Sequence, residues 1–164
     1  MSSKINFKKG SGIVEILVAI FIFTIVLGSL ITASNMYLSG AGESLKTAQG
    51  AYLAQEGIEA VKTIRDNSWN SISSLVDNTD YYLYFNISSS TNTFWEATST
   101  AFGVDSVFIR TFKSDSVYRD SDGRIITNGG ILDPNTKKVS VSVSWKSKSS
   151  TTTKTLSTYV ANIL

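Results

Sequence analysis

Between Lys9 and Glu43 the chain carries one charged side chain, Glu15, and residues 13–38 form an almost unbroken apolar run. As an α-helix, 26 residues at ~1.5 Å each extend ~39 Å, more than the ~30 Å hydrocarbon core of a bilayer requires. A small domain cannot surround such a rod with its own side chains, so the run predicts a helix embedded in something else, and it is long enough to cross a membrane. Lys4, Lys8 and Lys9 precede it. By the positive-inside rule that basic flank keeps the N-terminus cytoplasmic and sends the remainder of the chain outward.

The remainder amounts to about one domain, near the low end of independently stable sizes. Its net charge is small: the formal +2 of the whole chain includes the three leading lysines, which leaves 12 basic against 13 acidic residues over 11–164. A general attraction to nucleic acid is not expected from that balance. The 164 residues include no Cys and no His, which removes disulfides, thiol nucleophiles, His- or Cys-based zinc sites and histidine acid–base chemistry. The acids of the head are scattered among turns with no nucleophile beside a base, so neither catalysis nor a cofactor or metal is expected.

Two ordinary readings of the N-terminus compete. A secretory signal peptide has an apolar region of 7 to 15 residues followed by a small-residue cleavage site; this run is longer, and Thr32-Ala33-Ser34 is a weak site. An uncleaved signal anchor fits the hydropathy, but gives no reason for Gly10 to border the run or for an acid to lie five residues beyond it. The segment Lys9-Gly10-Ser11-Gly12-Ile13-Val14-Glu15-Ile16-Leu17-Val18-Ala19-Ile20 resembles the class III signal of type IV prepilins and pseudopilins. The resemblance implies cleavage between Gly10 and Ser11 by a membrane-embedded prepilin peptidase, N-methylation of Ser11, and a place for Glu15 as the fifth mature residue. It further implies storage as a single-pass protein of the cytoplasmic (inner) membrane and then an extracellular or periplasmic filament. The implied partners are membrane lipid, other pilin subunits, a platform protein and a cytoplasmic assembly ATPase. The family usually places Phe where Ser11 stands. Its major subunits generally carry a Pro near the position of Thr32, and this helix has none; that departure points toward a minor pilin or a pseudopilin.

The motif has a chemistry of its own. A charged residue at the centre of a membrane helix costs ~2.5 to 3.5 kcal/mol on insertion scales, and less near an end. Glu15 must therefore be partnered, protonated or shallow. Cleavage before Ser11 would create an α-amine one helical turn away, and opposite charges in apolar surroundings attract strongly. Following the family, Glu15 of an incoming subunit would pair with the amine of one already in place and set the register. The plainer alternative is that Glu15 complements the helix N-terminal dipole, worth ~0.3 to 1 kcal/mol. Gly28 and Ser29 lie mid-span and suit either a hinge or close helix packing.

Beyond residue 39, Leu45, Ala48, Ala51, Ala54, Ile58, Val61 and Ile64 recur every three or four residues, an amphipathic continuation of the helix through 39–67. A helix over 12–66 would be ~80 Å long. The segment AYLAQEGIEAVKTIRDNSW (51–69) resembles the corresponding part of V-class minor pilins. After it the composition turns to Ser, Thr, Asn and aromatics, with a connector over 71–80 and a strand over 81–87. Short strands are expected at 107–112 and 117–119, separated by Ser114-Asp115, with a turn at Asp133-Pro134-Asn135 and a clear strand where Val139, Val141, Val143 and Trp145 alternate with Ser140, Ser142 and Ser144. A polar loop at 146–153 and a last strand near 155–163 complete a hairpin. KKVSVSVSW and TLSTYV are again reminiscent of V-class minor pilins. The expected fold is α+β: leader 1–10, membrane or filament-core helix 11–38, its amphipathic continuation 39–67, and a β-rich head 68–164 whose antiparallel sheet lies across the stripe.

Three further motifs have bland readings. Asp120-Ser121-Asp122-Gly123 opens like a calcium loop but lacks the third ligand and the later Glu, so an Asp-Gly turn is expected. Lys137, Lys138, Lys146, Lys148 and Lys154 surround Trp145 and could meet DNA phosphates; lysines flanking an exposed hairpin also discourage edge pairing, which is the preferred reading. Asn86-Ile87-Ser88 matches a glycosylation sequon within a predicted strand. The function read from the whole is a minor-pilin-like filament subunit, with a pseudopilin of type II secretion or DNA uptake, or a non-polymerising surface binding module, as alternatives.

Overall fold

The computed structural model describes residues 11–89, 92–127, 129–147 and 150–163. Helix α1 covers Ser11–Asn67 and the short α2 covers Asn70–Ser73. Seven strands follow: β1 Tyr81–Ser89, β2 Asn92–Thr98, β3 Gly103–Val104, β4 Phe108–Arg119, β5 Ile125–Ile126, β6 Ile131–Ser147 and β7 Ser150–Ala161. The chain divides into two compact units, Met1–Ser44 and Leu45–Leu164. The described part of the first is helix alone. The second is α+β, an antiparallel sheet packed against the C-terminal part of α1.

Helix meets sheet through small residues. In the second unit Ala54, Ile58, Ala60, Val61 and Ile64 of α1 are buried against Leu83, Phe112, Val139, Val141, Val143 and Trp145. The alternation predicted in β6 is realised: Val139, Val141 and Val143 are fully buried and Trp145 nearly so. Each such side chain contributes about 1.5–3 kcal/mol by leaving water. The stripe on the helix begins later than its apolar spacing implies. Leu45, Ala48 and Ala51 are exposed, and the first buried residue is Gly50. A methyl group on Gly50 would stand 2.5 Å from Cζ3 of Trp145, and one on Gly57 would stand 2.7 Å from Cγ1 of Val141 and 3.1 Å from Cδ of Arg110. The two glycines are seven residues apart, hence on one face, and they let the helix backbone approach the sheet.

The sheet order is β2-β1-β4-β6-β7, with β3 and β5 also pairing to β4. Three expectations are corrected here. Residues 107–112 and 117–119 belong to one strand, β4, whose twelve residues are paired with β6 along their length. Ser114 does not interrupt it because its side chain lies on the buried face. Asp133-Pro134-Asn135 sits inside β6, where the register jumps from Ser116↔Lys137 to Val117↔Asp133. Pro134, having no N–H, falls at the one place in the ladder where none is required. The loop placed at 146–153 is much shorter, since Lys146↔Thr151 and Ser147↔Ser150 are still in register. The connector after α1 includes α2, whose Ile72 is fully buried, and β2, β3 and β5 had no forecast.

The glycines give a test in which one chemical change has two signs. Measured on the full chain in detergent, Gly57→Ala and Gly50→Ala should each lower stability by about 1–2 kcal/mol, because overpacking outweighs the helix-propensity gain. Gly42→Ala has open space around it and should be neutral or stabilising by up to about 1 kcal/mol. A stabilising Gly57→Ala, read from the thermal midpoint, would contradict the packing described.

Candidate functional site

From Gly12 to Gly42 every described side chain is exposed. The large apolar ones range from 40% exposed at Leu27 to 78% at Met36. Among the described residues this is the one helix long and apolar enough to cross a membrane, a weak indication of anchoring taken alone. Its hydroxyls are not left over: Thr32 donates to the Gly28 carbonyl at 2.9 Å, Ser29 to Val26 at 2.8 Å, and Thr24 to the carbonyls of Ile20 and Phe21. Such back-bonding satisfies a hydroxyl within its own helix, so these positions need no water. Gly28 has no heavy atom within 4 Å of the place a Cβ would occupy.

The three residues singled out at the N-terminus are placed unequally. Gly10 lies outside the described residues, and Ser11 begins α1. Glu15 is exposed one turn further on, in a segment whose next charged residue is Glu43. Two helical residues at this spacing share a face.

The head holds its charges in pairs that sequence periodicity does not reveal. Arg110, 3% exposed, points inward from β4; its Nη1 donates to the Leu53 carbonyl at 3.2 Å and reaches Glu56 at 3.3 Å. Its guanidinium carbon stands 5.2 Å from the centre of the Trp95 ring. Burial pulls the Arg110 pKa below the usual arginine value, with Glu56 opposing. At the bulge, Lys137 Nζ donates to Asp77 at 2.8 Å and to Ser116 Oγ at 3.2 Å, and the Ser116 N–H donates to Asp77. Beside it Arg119 Nε donates to Asp133 at 2.6 Å. Burial alone would raise the Asp77 carboxyl, but hydrogen bonds from Lys137 and Ser116 outweigh it and hold that pKa below its ordinary value. Asp133 is held low chiefly by the Arg119 hydrogen bond, aided by Thr136. A charge at an inward position of a strand was the available signal, and Arg110 in FIRTF carries it.

The other motifs resolve as structure. Asp120 Oδ1 accepts the backbone N–H groups of Asp122 and Arg124, and Gly123 takes φ +78°, so the acids complete an Asp-Gly turn. Asn86 donates to Glu96 at 3.2 Å, while the side chains of Ile87 and Ser88 lie outside the described residues. Of the five C-terminal lysines, Lys137 is buried in its ion pair and Lys148 lies outside the described residues. Among the described residues no group of three or more His, Cys, Asp or Glu is placed to hold a metal. Two open depressions, of about 340 Å³ beside Trp95 and Ile64 and about 450 Å³ beside Trp145 and Phe108, have mixed walls, with Glu96 lining the first and Asp105 and Lys146 the second. Comparison with protein-family models, with curated proteins and with solved structures finds no match to this chain.

The bulge predicts an acid response. A carboxyl with a depressed folded pKa stabilises the fold above its unfolded value, ~4, and that contribution is lost as pH falls through the folded value. The thermal midpoint of the full chain in detergent should therefore be insensitive to these two groups above about pH 5 and fall below about pH 4. The double variant Asp77→Asn, Asp133→Asn should start lower at neutral pH and fall less steeply, so an unchanged acid slope would count against the two pairs.

Proposed function

We propose that this chain is a filament subunit of the type IV pilin kind, most like the V-class minor pilins, assembled through the apolar part of α1. The observation that carries the reading is an unburied apolar helix whose one charge, Glu15, lies a turn inside Ser11 and directly follows a Lys-Lys-Gly leader. A rod of this kind requires either lipid or like rods around it. In this reading the precursor is held in the cytoplasmic membrane by 11–38, is cut after Gly10, and offers a new α-amine at Ser11. Glu15 of the incoming subunit pairs with that amine on its neighbour, which gives the carboxylate a partner where water is scarce. A prepilin peptidase, a platform protein and an assembly ATPase are the partners the reading requires. The head, near neutral and with its own core, remains at the surface.

A pseudopilin of type II secretion or of DNA uptake uses the same helix chemistry. A signal-anchored binding module that never polymerises accounts for the hydropathy alone, but leaves Gly10 and Glu15 without a role.

Mass spectrometry of the mature N-terminus separates these readings. A chain beginning at Ser11 is expected, with or without a methyl group, and an intact leader still bearing Lys8 and Lys9 would overturn the proposal. Glu15→Ala should leave membrane insertion intact and reduce recovery in sheared filaments at least tenfold, the loss expected when about 1.4 kcal/mol or more of register energy is removed. Undiminished incorporation would reduce Glu15 to a partner of the helix dipole.

A further inference from the structure

The depression of about 450 Å³ lies at the end of the sheet where β3 turns into β4. Its floor is set by register. Gly103↔Ile109 and Ile109↔Ser144 bring β3, β4 and β6 side by side, and Lys146↔Thr151 extends the row to β7. Alternate residues of a strand share a face and opposed residues share it across strands, so Ile109, Ser144, Lys146 and Thr151 lie on the face turned away from the core. Phe108 and Trp145 border the depression too, but both belong to the core beneath it. Val107 and Ile109 are left half exposed on its floor.

Two unlike charges stand in its walls. Asp105 directly follows β3 and takes φ 57°, a conformation in which Asp and Asn are enriched among residues with a side chain. Lys146 comes from β6, whose backbone is two strand spacings, about 10 Å, from that of β3. Both are exposed, and among the described residues neither side chain has an ion pair or a hydrogen bond, to the other or to any third group. The strand between them, β4, supplies the apolar floor. Two opposite charges are thus displayed across one small hollow without neutralising each other.

We propose that this hollow binds a small zwitterion, whose primary ammonium group meets Asp105 and whose anionic group, a phosphate or a carboxylate, meets Lys146. A molecule with its two charges several ångströms apart satisfies both side chains at once and covers Val107 and Ile109; phosphoethanolamine has that form. A simple anion gains Lys146 and is repelled by Asp105, and a simple cation meets the reverse, so the pair selects against ligands of one sign. Ser106, Ser144 and Thr151 add hydroxyls to the walls, able to donate to the anion or accept from the ammonium. A lipid head group and a free solute carry the same chemistry. The site stands whether or not α1 assembles into a filament, since all its residues belong to the head.

The absence of cysteine supplies the readout. In the full chain in neutral detergent, Ser106→Cys places one thiol in the wall of the hollow, and its rate of alkylation by an uncharged maleimide is followed at constant ionic strength. Phosphoethanolamine should slow the reaction about threefold or more, saturably below about 10 mM, while phosphate alone and ethanolamine alone should need about tenfold higher concentrations. Asp105→Asn, which keeps a residue suited to positive φ, and Lys146→Gln should each abolish the advantage of the zwitterion over the single ions. Equal protection by phosphate and phosphoethanolamine, or protection by neither, would overturn the proposal. Thr151→Cys repeats the measurement from the opposite wall should Ser106→Cys fail to fold. Nanodiscs then separate the sources: protection without added solute in discs containing phosphatidylethanolamine, and not in discs containing phosphatidylglycerol, assigns the site to a lipid head group. Protection by the soluble zwitterion alone assigns it to a free solute, and equal protection by both lipids would again overturn the proposal.

Discussion

The head depends on how closely one helix can approach one strand. Gly50 and Gly57 remove the side chains that would hold α1 off β6, and Trp145 and Val141 occupy the space gained. Ala54, Ala60 and Val61 continue the seam with small or branched residues, and the three inward valines of β6 close it from the other side. A domain of this size has little apolar area to spare and no disulfide to limit its unfolded state, so each contact must be made at short range. Mid-helix glycine is unfavourable by about 1 kcal/mol relative to alanine. At these two positions tight packing opposes that loss, because a side chain there would part the layers.

Once helix and sheet are joined, the polar residues follow from the same geometry. Arg110 points inward because β4 alternates through a position the core must fill, and its charge is tolerated by a helix carbonyl, the edge-placed Glu56 and the face of Trp95. A cation in such a place is expensive to strip of partners and contributes little net stability when paired. The bulge in β6 is handled differently. Where Pro134 interrupts the ladder, Lys137 and Arg119 are each tied to an acid that comes from elsewhere in the chain or from the bulge itself. Those ties hold the register on either side of the irregularity, which lets β4 and β6 remain one long pair across a change of inward face.

Much of this architecture was legible because it rests on periodicity. The apolar run, the amphipathic continuation and the Val–Ser alternation of β6 announce a helix followed by an antiparallel sheet, and that is the order found. What periodicity concealed was the meaning of exceptions. Ser114 and Asp115 looked like a break, yet one faces inward and the other outward along an unbroken strand. Pro134 looked like a turn because proline usually ends a strand, and a bulge is the other place it fits. Leu45 and Ala51 belong to the same helical stripe as Ala54, but the sheet does not cover them, and no local pattern tells where a partner layer stops. Gly50 and Gly57 read as weaknesses until the bulk facing them was known. At the N-terminus the apolar run and its single acid were legible without the fold, since their chemistry is one of sequence order and solvent.

That chemistry also indicates what must drive an assembly built on α1. Lipid chains and the side chains of a neighbouring helix are about equally apolar, so passage from one to the other gains little from the hydrophobic effect. Thr24, Ser29 and Thr32 spend their hydroxyls on their own helix, and so distinguish little between the two surroundings. What remains to favour neighbours over lipid is close packing, for which Gly28 leaves room, and the fate of a single carboxylate. In lipid Glu15 has no fixed cation to face; under the proposed cleavage, a neighbouring copy displaced along the axis by about one helical turn, ~6 Å, would bring its Ser11 amine level with that carboxylate. A nearly featureless rod can in this way acquire a preferred neighbour and a preferred register from one residue.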